Sequence, residues 1–311
     1  MNYNLTEITY PSADGLHTVY AEIYSPKSAT ARGVVQLAHG MIDYTARYEE
    51  LADYLTARGY IFAGNHHLGH GKTAGSPEDF GIFAERGGLE FVLQDMHSLN
   101  RILHDTFPTL PVILFGHSMG SFLARIYAAE HPRGIKGLII HGTGGKNPLV
   151  GVGMGLAGLI KKIYGPRHRS PLIEGLAFGA YNKKFPKEEG HNAWLTREAE
   201  LIADRDTNEF TSFKFTVSGY IDLFGALKRS NASAWYRSYP KELPTLIVSG
   251  DADPVGDYGK GPAEVYRGLM LAGATSVSLK LYEGARHELF KETCREEYFG
   301  DLVAWLEGAI R

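Results

Sequence analysis

Residues 112–122 have the sequence VILFGHSMGSF, an apolar run that ends in a serine flanked by glycines. Gly116, Ser118 and Gly120 form a G-x-S-x-G pattern between a predicted strand and a predicted helix. A turn this tight leaves no room for side chains beside the serine, which explains the glycines. Ser118 then lies at a helix N-terminus, where the dipole and free N–H groups favour developing negative charge. The pattern predicts a serine nucleophile at position 118.

On both sides of this stretch, short apolar runs alternate with helical patterns. Residues 33–40, 60–65, 111–117 and 137–142 are predicted strands buried on both faces, and residues 243–250 and 276–284 are two further predicted strands. Alternation of this kind predicts an α/β fold with a mostly parallel central sheet flanked by helices.

The alternation is absent from residues 146–240, which are rich in helix formers, aromatic residues and glycine. A segment of this length is better interpreted as an inserted, mainly helical cap than as a loop. We therefore predict a core of residues 1–145 and 241–311 and a cap segment of residues 146–240. Because the cap segment follows a predicted strand at the sheet edge where α/β proteins bind ligands, we expect it to cover the site.

The composition narrows the class of protein. A hydrophobic content of 44% and a charged content of 22% are typical of a globular domain, and a net charge of −3 does not suggest a nucleic-acid partner. The single cysteine, Cys294, excludes an internal disulfide and fits a reducing compartment. We expect no signal peptide and no membrane-spanning run, and hence a cytoplasmic protein.

A serine nucleophile requires a base and an orienting carboxylate, which in this type of fold follow the serine along the chain. Among thirteen histidines, only His287 lies just beyond the last predicted strand. The carboxylate is expected in SGDADPVGDYGKG (249–261), which offers Asp251, Asp253 and Asp257. We favour Asp253, since it is followed by a proline and projects from the loop, whereas Asp251 is close enough to the strand end to hold the loop together.

An oxyanion hole requires two backbone N–H groups near the serine. One is expected from Met119, directly after the nucleophile, and the other from Met41 in LAHGMIDY (37–44), after an early strand. His39 in that stretch fits a structural role better than that of a base.

The stretch GNHHLGHGKT (64–73) contains three histidines that superficially resemble a metal cluster, His66, His67 and His70. Zinc ligands of the HExxH kind need a helix to share one face, and the glycines at 69 and 71 argue against a helix. We therefore predict a hydrogen-bonded structural turn and no metal site.

The stretch LVGVGMGLAGLI (149–160) has the G-x-G-x-x-G spacing of a dinucleotide-binding turn, at Gly153, Gly155 and Gly158. Such a turn should follow the first strand of its unit, whereas these glycines follow the fourth predicted strand, so we expect no cofactor. The small residues instead predict a segment that a chain or a neighbouring helix can approach closely.

The chain resembles the monoacylglycerol lipase and lysophospholipase branch of the α/β-hydrolases, also labelled serine-aminopeptidase-like. The segments that carry the resemblance are HGMIDYTARYEELADYL, HHLGHGKT, GHSMGSFLARIYA, SGDADPV and YEGARHELFKE. The resemblance implies an α/β-hydrolase fold, a triad of Ser118, Asp253 and His287, and oxyanion N–H groups at Met41 and Met119. One departure is His66, where the family usually has aspartate.

These observations predict a serine hydrolase that cleaves carboxylic esters of lipid-like substrates, of the monoacylglycerol or lysophospholipid class, through an acyl-enzyme on Ser118. Its partner is a small-molecule acyl ester. The apolar cap segment favours an acyl pocket, for which we predict Gly155, Gly158 and Phe213 as substrate-binding residues.

Other functions remain open from the sequence. A peptidase or amidase would need carboxylates in the cap segment to hold an ammonium group, and those available are Glu174, Glu188, Glu189, Glu198 and Glu200. A thioesterase would have the same triad, and a non-catalytic ligand-binding protein can share the fold.

A basic cluster in the cap segment also has two interpretations. It consists of Lys161, Lys162, Arg167, His168 and Arg169. A transient contact with an anionic membrane surface is one interpretation, and a solvated helix end is the favoured one.

Overall fold

One eight-stranded sheet runs through the part of the chain that the computed structural model describes, residues 1–310, with Asp204 and Asp206 described by their backbone alone. The strands are β1 (Tyr3–Pro11), β2 (Thr18–Pro26), β3 (Gly33–Ala38), β4 (Tyr60–Asn65), β5 (Val112–His117), β6 (Gly137–His141), β7 (Thr245–Gly250) and β8 (Val277–Tyr282). Their order across the sheet is β1-β2-β4-β3-β5-β6-β7-β8. Strands β3 to β8 are all parallel, and β1 and β2 are antiparallel to their neighbours.

The six predicted strands are present, and β3 to β7 are buried along their whole length. The hairpin of β1 and β2 is an addition that the apolar runs did not reveal. β1 is an edge strand with mostly exposed residues, so it lacks the continuous hydrophobic run of a strand covered on both faces.

Helices cover both faces of the sheet. They are α1 (Glu49–Thr56), α2 (Gly88–Thr106), α3 (Met119–Glu130), α4 (Val150–Tyr164), α5 (Pro171–Phe178), α6 (Ala199–Thr207), α7 (Val217–Ser230), α8 (Ser233–Ser238), α9 (Lys260–Leu271) and α10 (Arg295–Ala309). Short 3-10 helices occur at Thr45–Tyr48, Gly71–Ala74, Pro77–Asp79, Pro132–Gly134, Tyr181–Lys184, Lys187–Glu189 and Leu289–Lys291. One core lies between the sheet and helices α2, α3 and α9, and a second lies between the sheet and helices α1 and α10.

The cap segment lies between β6 and β7 and contributes α4 to α8, with no strand among its described residues. Its longest helices, α4 and α7, pack against each other, and α7 also packs on α2 and α3 of the core. The parallel sheet with helices on both faces is the α/β-hydrolase fold that the sequence predicts. The division into core and cap at residues 146 and 240 stays a prediction.

Candidate active site

Ser118 occupies the turn between β5 and α3. Its backbone has φ 53° and ψ −120°, a conformation that is strained for any residue with a side chain. The flanking glycines are required sterically, because a Cβ at Gly116 would overlap the carbonyl group of Gly120, and a Cβ at Gly120 would overlap that of Ala38. The Ser118 N–H donates a hydrogen bond of 2.9 Å to the carbonyl oxygen of His141. The serine is therefore held at the carboxyl edge of the sheet, at the N-terminus of α3.

Asp253 and His287 form a buried pair. The carboxylate Oδ2 lies 2.8 Å from Nδ1 of the imidazole, and both side chains are almost fully buried. The carboxylate also accepts hydrogen bonds from the Ser249 hydroxyl at 3.2 Å and from the Val255 N–H at 2.8 Å. Within the described residues, Nε2 of His287 has no hydrogen-bond partner. An imidazole whose Nδ1 bonds a carboxylate and whose Nε2 is unengaged can accept a proton at Nε2.

The imidazole of His287 lies beside the nucleophile turn. Its ring centroid is 4.7 Å from that of His117, the residue before Ser118. A Cβ at Gly142, directly after β6, would lie 3.0 Å from the same imidazole. The structure thus brings together the regions of all three residues of the predicted triad.

The other two aspartates of the stretch 249–261 are placed differently. Asp251 is exposed and accepts a hydrogen bond of 2.7 Å from the Gly284 N–H, so it ties its loop to the loop before His287. Asp257 is exposed and pairs with Lys260 at 3.2 Å. Only Asp253 contacts the imidazole among the three candidates, within the contacts described.

Residues 39–44, which we call the oxyanion loop, pass directly beside Ser118. A Cβ at Gly40 would lie 3.3 Å from Cβ of Ser118. Met41 follows in this loop, after β3, and Met119 is the first residue of α3, where N–H groups lack partners within the helix. The loop contains one residue with a positive φ, Ile42 at 54°. This geometry is compatible with two N–H groups converging next to Ser118.

A buried network of four charged side chains joins the oxyanion loop to the residue after His287. Arg47 bonds Asp43 at 2.8 Å and Glu288 at 2.7 Å. Arg205, from helix α6 of the cap segment, bonds Glu288 at 3.3 Å. Although burial opposes it, the neighbouring Arg47 lowers the pKa of Asp43 to about 2. Sequence reasoning missed this network; the spacing of Asp43 and Arg47, four residues apart on a turn, was the available signal.

A second feature that sequence reasoning missed is a pair of buried histidines beneath the nucleophile. The Nδ1 atoms of His117 and His141 are 2.6 Å apart. Burial lowers the pKa of both imidazoles well below the ordinary range. The neighbouring His141 lowers the pKa of His117 further, and His287 lowers the pKa of both. A hydrogen bond between two neutral imidazoles requires one ring to donate and the other to accept, so the pair fixes the relative tautomers of its members.

The cap segment contacts the His287 loop directly. The Trp194 carbonyl accepts a hydrogen bond of 3.4 Å from the His287 N–H, and the Leu195 carbonyl accepts one of 2.7 Å from the Glu288 N–H. Tyr181 packs on Trp194 with ring centroids 5.0 Å apart. A stretch of the cap segment therefore lies over the imidazole, in line with the expected position of the insertion.

The histidines of the stretch 64–73 form a buried cluster with His39. The rings of His39 and His67 are 4.1 Å apart, and Nε2 of His39 accepts a hydrogen bond of 3.0 Å from the His67 N–H. His70 accepts a hydrogen bond of 3.2 Å from the Ile42 N–H, and burial lowers its pKa to about 3. These contacts fix the oxyanion loop to the stretch 64–73. In residues 1–310, no group of three or more histidine, cysteine or acidic residues is arranged to hold a metal ion.

The glycines of the cap segment differ in their surroundings. They lie in α4, and a Cβ at Gly153 would lie 3.3 Å from the ring of Phe224 in α7. At Gly155 and Gly158 such an atom would have no described neighbour within 4 Å. The expected close approach of a neighbouring helix is therefore found at Gly153 and not at Gly155 or Gly158, which face away from the packed side of α4. Approach of a substrate chain to these two glycines stays a prediction.

Phe213, the third residue predicted to bind substrate, belongs to an aromatic cluster. Its ring stacks on Phe80 with centroids 4.8 Å apart and contacts the rings of His70 and Phe215. It is only partly buried. Phe213 thus connects the cap segment to the histidine cluster behind the oxyanion loop.

The helices of residues 1–310 include none with the combined length and hydropathy that a membrane crossing requires.

The family model described as "Serine aminopeptidase, S33" matches residues 29–294. The chain belongs to this family.

Several known proteins align with this chain over most of their length. A monoacylglycerol lipase of Mycolicibacterium smegmatis is 26% identical over 303 residues, which are 97% of this chain and 96% of that protein. The human monoglyceride lipase is 28% identical, over 95% of this chain and 88% of that protein. The crystal structure of a thermostable carboxyl esterase from Bacillus coagulans, in complex with glycerol, superposes with a TM-score of 0.92 at 28% identity and covers 99% of both chains.

The departure from the S33 family pattern at His66 has a local explanation. Nδ1 of His66 accepts a hydrogen bond of 3.0 Å from the Lys72 N–H, which is a bond that a carboxylate oxygen also accepts. Burial lowers the pKa of His66 well below the ordinary range, so the side chain is neutral. The substitution therefore preserves an acceptor while removing a buried negative charge.

Proposed function

We propose that this chain is a serine hydrolase that cleaves carboxylic esters of lipid-like substrates, of the monoacylglycerol or lysophospholipid class, through an acyl-enzyme on Ser118. The observation that carries the proposal is the buried Asp253–His287 pair, with Nε2 of the imidazole unengaged beside the turn that presents the serine. Family membership supports it, since relatives of similar length are named monoacylglycerol lipases and a superposable structure is named a carboxyl esterase.

The chemistry uses side chains and backbone groups alone. Nε2 of His287 takes the proton of the Ser118 hydroxyl, and Oγ attacks the ester carbonyl carbon. The N–H groups of Met41 and Met119 bind the oxyanion. The imidazolium then protonates the leaving alcohol, and the acyl group remains on Oγ. A water molecule, deprotonated by the same imidazole, releases the carboxylic acid and restores the serine.

Asp253 sets the tautomer of the His287 imidazole and stabilises its charged form. By accepting the hydrogen of Nδ1, it leaves Nε2 as the proton acceptor and stabilises the imidazolium that forms. No step requires a cofactor or a metal ion.

We place the acyl chain under the cap segment, residues 146–240, which we treat as a unit inserted in the core of residues 1–145 and 241–311. Phe213 and its aromatic cluster support an apolar binding surface on this side of the oxyanion loop. Gly155 and Gly158 remain proposed binding residues on the exposed side of α4, where their open surroundings leave space for a chain that enters along this helix.

The peptidase alternative has weaker support. Three of the five cap carboxylates that could hold a substrate ammonium group are paired with cations: Glu174 with Lys214, Glu189 with Arg286 and Glu198 with Arg295. A carboxylate already neutralised by a side chain binds a second cation less well. The ester substrate therefore remains the proposal.

We further propose a transient contact between the cap segment and a membrane surface. The outer sides of α4 and α5 expose large apolar side chains, which are Leu149, Val152, Leu159, Ile163, Tyr164, Leu172 and Leu176. Large apolar side chains exposed on two adjoining helices are typical of an interaction site. The basic cluster adds less than its sequence suggests, because Lys161, Arg167 and Arg169 bond residues of the core or of the cap itself. A cytoplasmic location stays a prediction from the sequence, with which the single cysteine is compatible.

The test is hydrolysis of p-nitrophenyl esters of increasing chain length, beside aminoacyl p-nitroanilides, with labelling by a fluorophosphonate probe. We expect labelling at Ser118, a preference for medium or long acyl chains, and complete loss of hydrolysis and labelling in Ser118→Ala. Near-wild-type hydrolysis in that variant would overturn the proposal, and preferential cleavage of the nitroanilides would favour the peptidase.

A further inference from the structure

Arg205 is the one described side chain of the cap segment that bonds both the oxyanion loop and the residue after His287. Its Nη2 donates a hydrogen bond of 3.0 Å to the carbonyl oxygen of Ile42, next to Met41. Its Nη1 bonds Oε1 of Glu288 at 3.3 Å. The side chain is 8% exposed, so both contacts are shielded from water.

The charges around Arg205 balance only when it is present. Asp43 and Glu288 are both buried, and Arg47 bonds both of them. Oε1 of Glu288 accepts from Arg47 as well as from Arg205. With both arginines in place the network holds two positive and two negative charges, and without Arg205 a buried negative charge is left uncompensated, which is strongly unfavourable.

Further contacts hold Arg205 and its helix against the oxyanion loop. Its carbonyl oxygen accepts a hydrogen bond of 2.7 Å from the Thr211 hydroxyl, after the end of α6. Asn208 donates a hydrogen bond of 2.9 Å to the Tyr44 hydroxyl in the oxyanion loop, and the Phe210 ring lies 5.3 Å from that of Tyr44. The end of α6 is thus docked on the segment that carries Met41.

We propose that Arg205 is a positioning residue that makes the geometry of the oxyanion hole and of the His287 loop depend on the docking of cap helix α6. The proposal rests on the proposed function, since it assigns a role around the same serine. The guanidinium sets the direction of the Ile42 carbonyl and therefore of the Ile42–Asp43 peptide unit, which lies two peptide units after the one that carries the Met41 N–H. Through Glu288, it also fixes the backbone on which His287 is carried. When α6 is displaced, the oxyanion loop and the His287 loop both lose their hydrogen bond to Arg205.

The proposal predicts that loss of Arg205 changes kcat and not KM. A group that positions the oxyanion hole acts on the transition state, so its loss lowers kcat while KM changes little. It also acts alike on short and long esters, because it does not contact the acyl chain. A residue that only stabilises the fold would instead reduce the fraction of active molecules.

The experiment compares Arg205→Met and Arg205→Lys with wild type on p-nitrophenyl acetate and p-nitrophenyl laurate. Sites are titrated with a fluorophosphonate so that kcat refers to intact active sites. For Arg205→Met we expect kcat per titrated site to fall about tenfold or more, equally for both esters, with KM within about twofold. Arg205→Lys keeps the charge but not the two-armed donor, and we expect an intermediate kcat.

Arg197→Met is the matched control. Arg197 is also a cap arginine, and it bonds Glu292 at 2.7 Å in the segment after His287. It has no described contact with the oxyanion loop, so we expect its kcat per titrated site to stay near wild type. The double variant Arg205→Met with Glu288→Gln removes the uncompensated charge. Its kcat per titrated site should therefore fall by less than the combined effects of the two single variants.

The proposal is overturned if Arg205→Met retains kcat per titrated site within about twofold of wild type, or if Arg197→Met loses as much. Should Arg205→Met fail to fold, Arg205→Lys decides alone, and an unchanged kcat in that variant overturns the proposal. These results are distinct from a failure of the proposed function, in which wild type itself would be neither labelled at Ser118 nor active on either ester.

Discussion

The indole ring of Trp194 lies against the imidazole of His287, with ring centroids 5.1 Å apart and planes inclined by 40°. The same two residues share a backbone hydrogen bond, from the His287 N–H to the Trp194 carbonyl. An aromatic wall at this position limits the directions in which the imidazole can rotate, and it covers one side of the space between the cap segment and the serine.

Replacement of Trp194 by alanine is expected to lower kcat/KM for esters by about tenfold, because the imidazole loses a wall that keeps it in a reactive orientation. Trp194→Phe retains a ring and should retain most of the activity. The measurement is steady-state hydrolysis per titrated site. Trp305→Ala, a change in α10 on the other side of the sheet, is the control, and an equal loss there would show that the effect is not specific to the site.

The three aspartates of the stretch 249–261 are expected to respond differently to substitution. Asp253→Asn should lower kcat by about 10³-fold or more, since an amide cannot hold the imidazole in the required tautomer. Asp251→Ala should leave kcat nearly unchanged and lower the free energy of unfolding by about 1 kcal/mol through the lost bond to Gly284. Asp257→Asn should change neither. Ester hydrolysis and urea unfolding distinguish the three, and an active Asp253→Asn would contradict the assignment.

Strain at Ser118 has a measurable effect on stability. Its φ of 53° is accessible to glycine without a steric penalty, so Ser118→Gly should be more stable than Ser118→Ala by about 1–2 kcal/mol. Both variants are expected to be inactive, and the comparison therefore isolates the backbone. At Ala129, in the last turn of α3, the order should reverse: wild type, with alanine, should be more stable than Ala129→Gly, because glycine has a lower helix propensity than alanine. Urea unfolding of the four proteins provides the comparison.

The stability of the contact between α7 and α2 is expected to depend on pH. Asp222 of α7 accepts a hydrogen bond of 3.2 Å from the Leu89 N–H, and burial raises its pKa to about 7. In the unfolded chain the group titrates near its ordinary pKa of about 3.9. Between these values the folded protein binds a proton that the unfolded chain releases, so the stabilisation is complete below about pH 4 and is lost as the pH rises to about 7.

Asp222→Asn removes this titration while keeping an acceptor oxygen. Relative to the variant, the free energy of unfolding of wild type should fall by up to about 3 kcal/mol between pH 5 and pH 8, at about 1.4 kcal/mol per pKa unit. Asp105→Asn, on the exposed side of α2, is the control, and its free energy of unfolding should change with pH as that of wild type does over the same range. Parallel curves for wild type and Asp222→Asn would contradict the prediction.

Removal of exposed apolar side chains from α4 is expected to weaken binding to lipid vesicles. Leu159 and Ile163 are 55% and 62% exposed. Their joint replacement by serine should lower partitioning onto phosphatidylcholine vesicles by about tenfold or more. Leu271→Ser, at an 89% exposed position on core helix α9, is the control and should have no effect. Charge reversal at Lys162 tests the anionic surface separately, with phosphatidylglycerol vesicles.

The features that can be predicted from the sequence are those set by residues close together along the chain. The strands β3 to β7 are recognisable from largely continuous apolar runs and β8 from an alternating one. The position of Ser118 is recognisable from glycines that the turn requires. Asp253 is separable from Asp251 by the proline that follows it. These features depend on residues within a few positions of one another, where spacing and residue type carry the information.

The remainder depends on contacts between distant parts of the chain. Arg205 and Ile42 are 163 positions apart, and nothing near either residue indicates that they meet. β1 is missed because an edge strand has no continuous apolar run. Gly155 has the composition of a close contact but lies on the open side of α4, since the face that a helix buries is set by its neighbours rather than by its small residues.

The histidine pair beneath the nucleophile has a consequence for spectroscopy. Two nitrogens 2.6 Å apart hold one hydrogen between them, and this hydrogen is shielded from exchange with water because both His117 and His141 are buried. A hydrogen in so short a bond resonates far downfield in a proton NMR spectrum, away from the amide signals. Its resonance would shift when an acyl group is attached to the neighbouring serine, and it would thus report occupancy of the site without a chromogenic substrate.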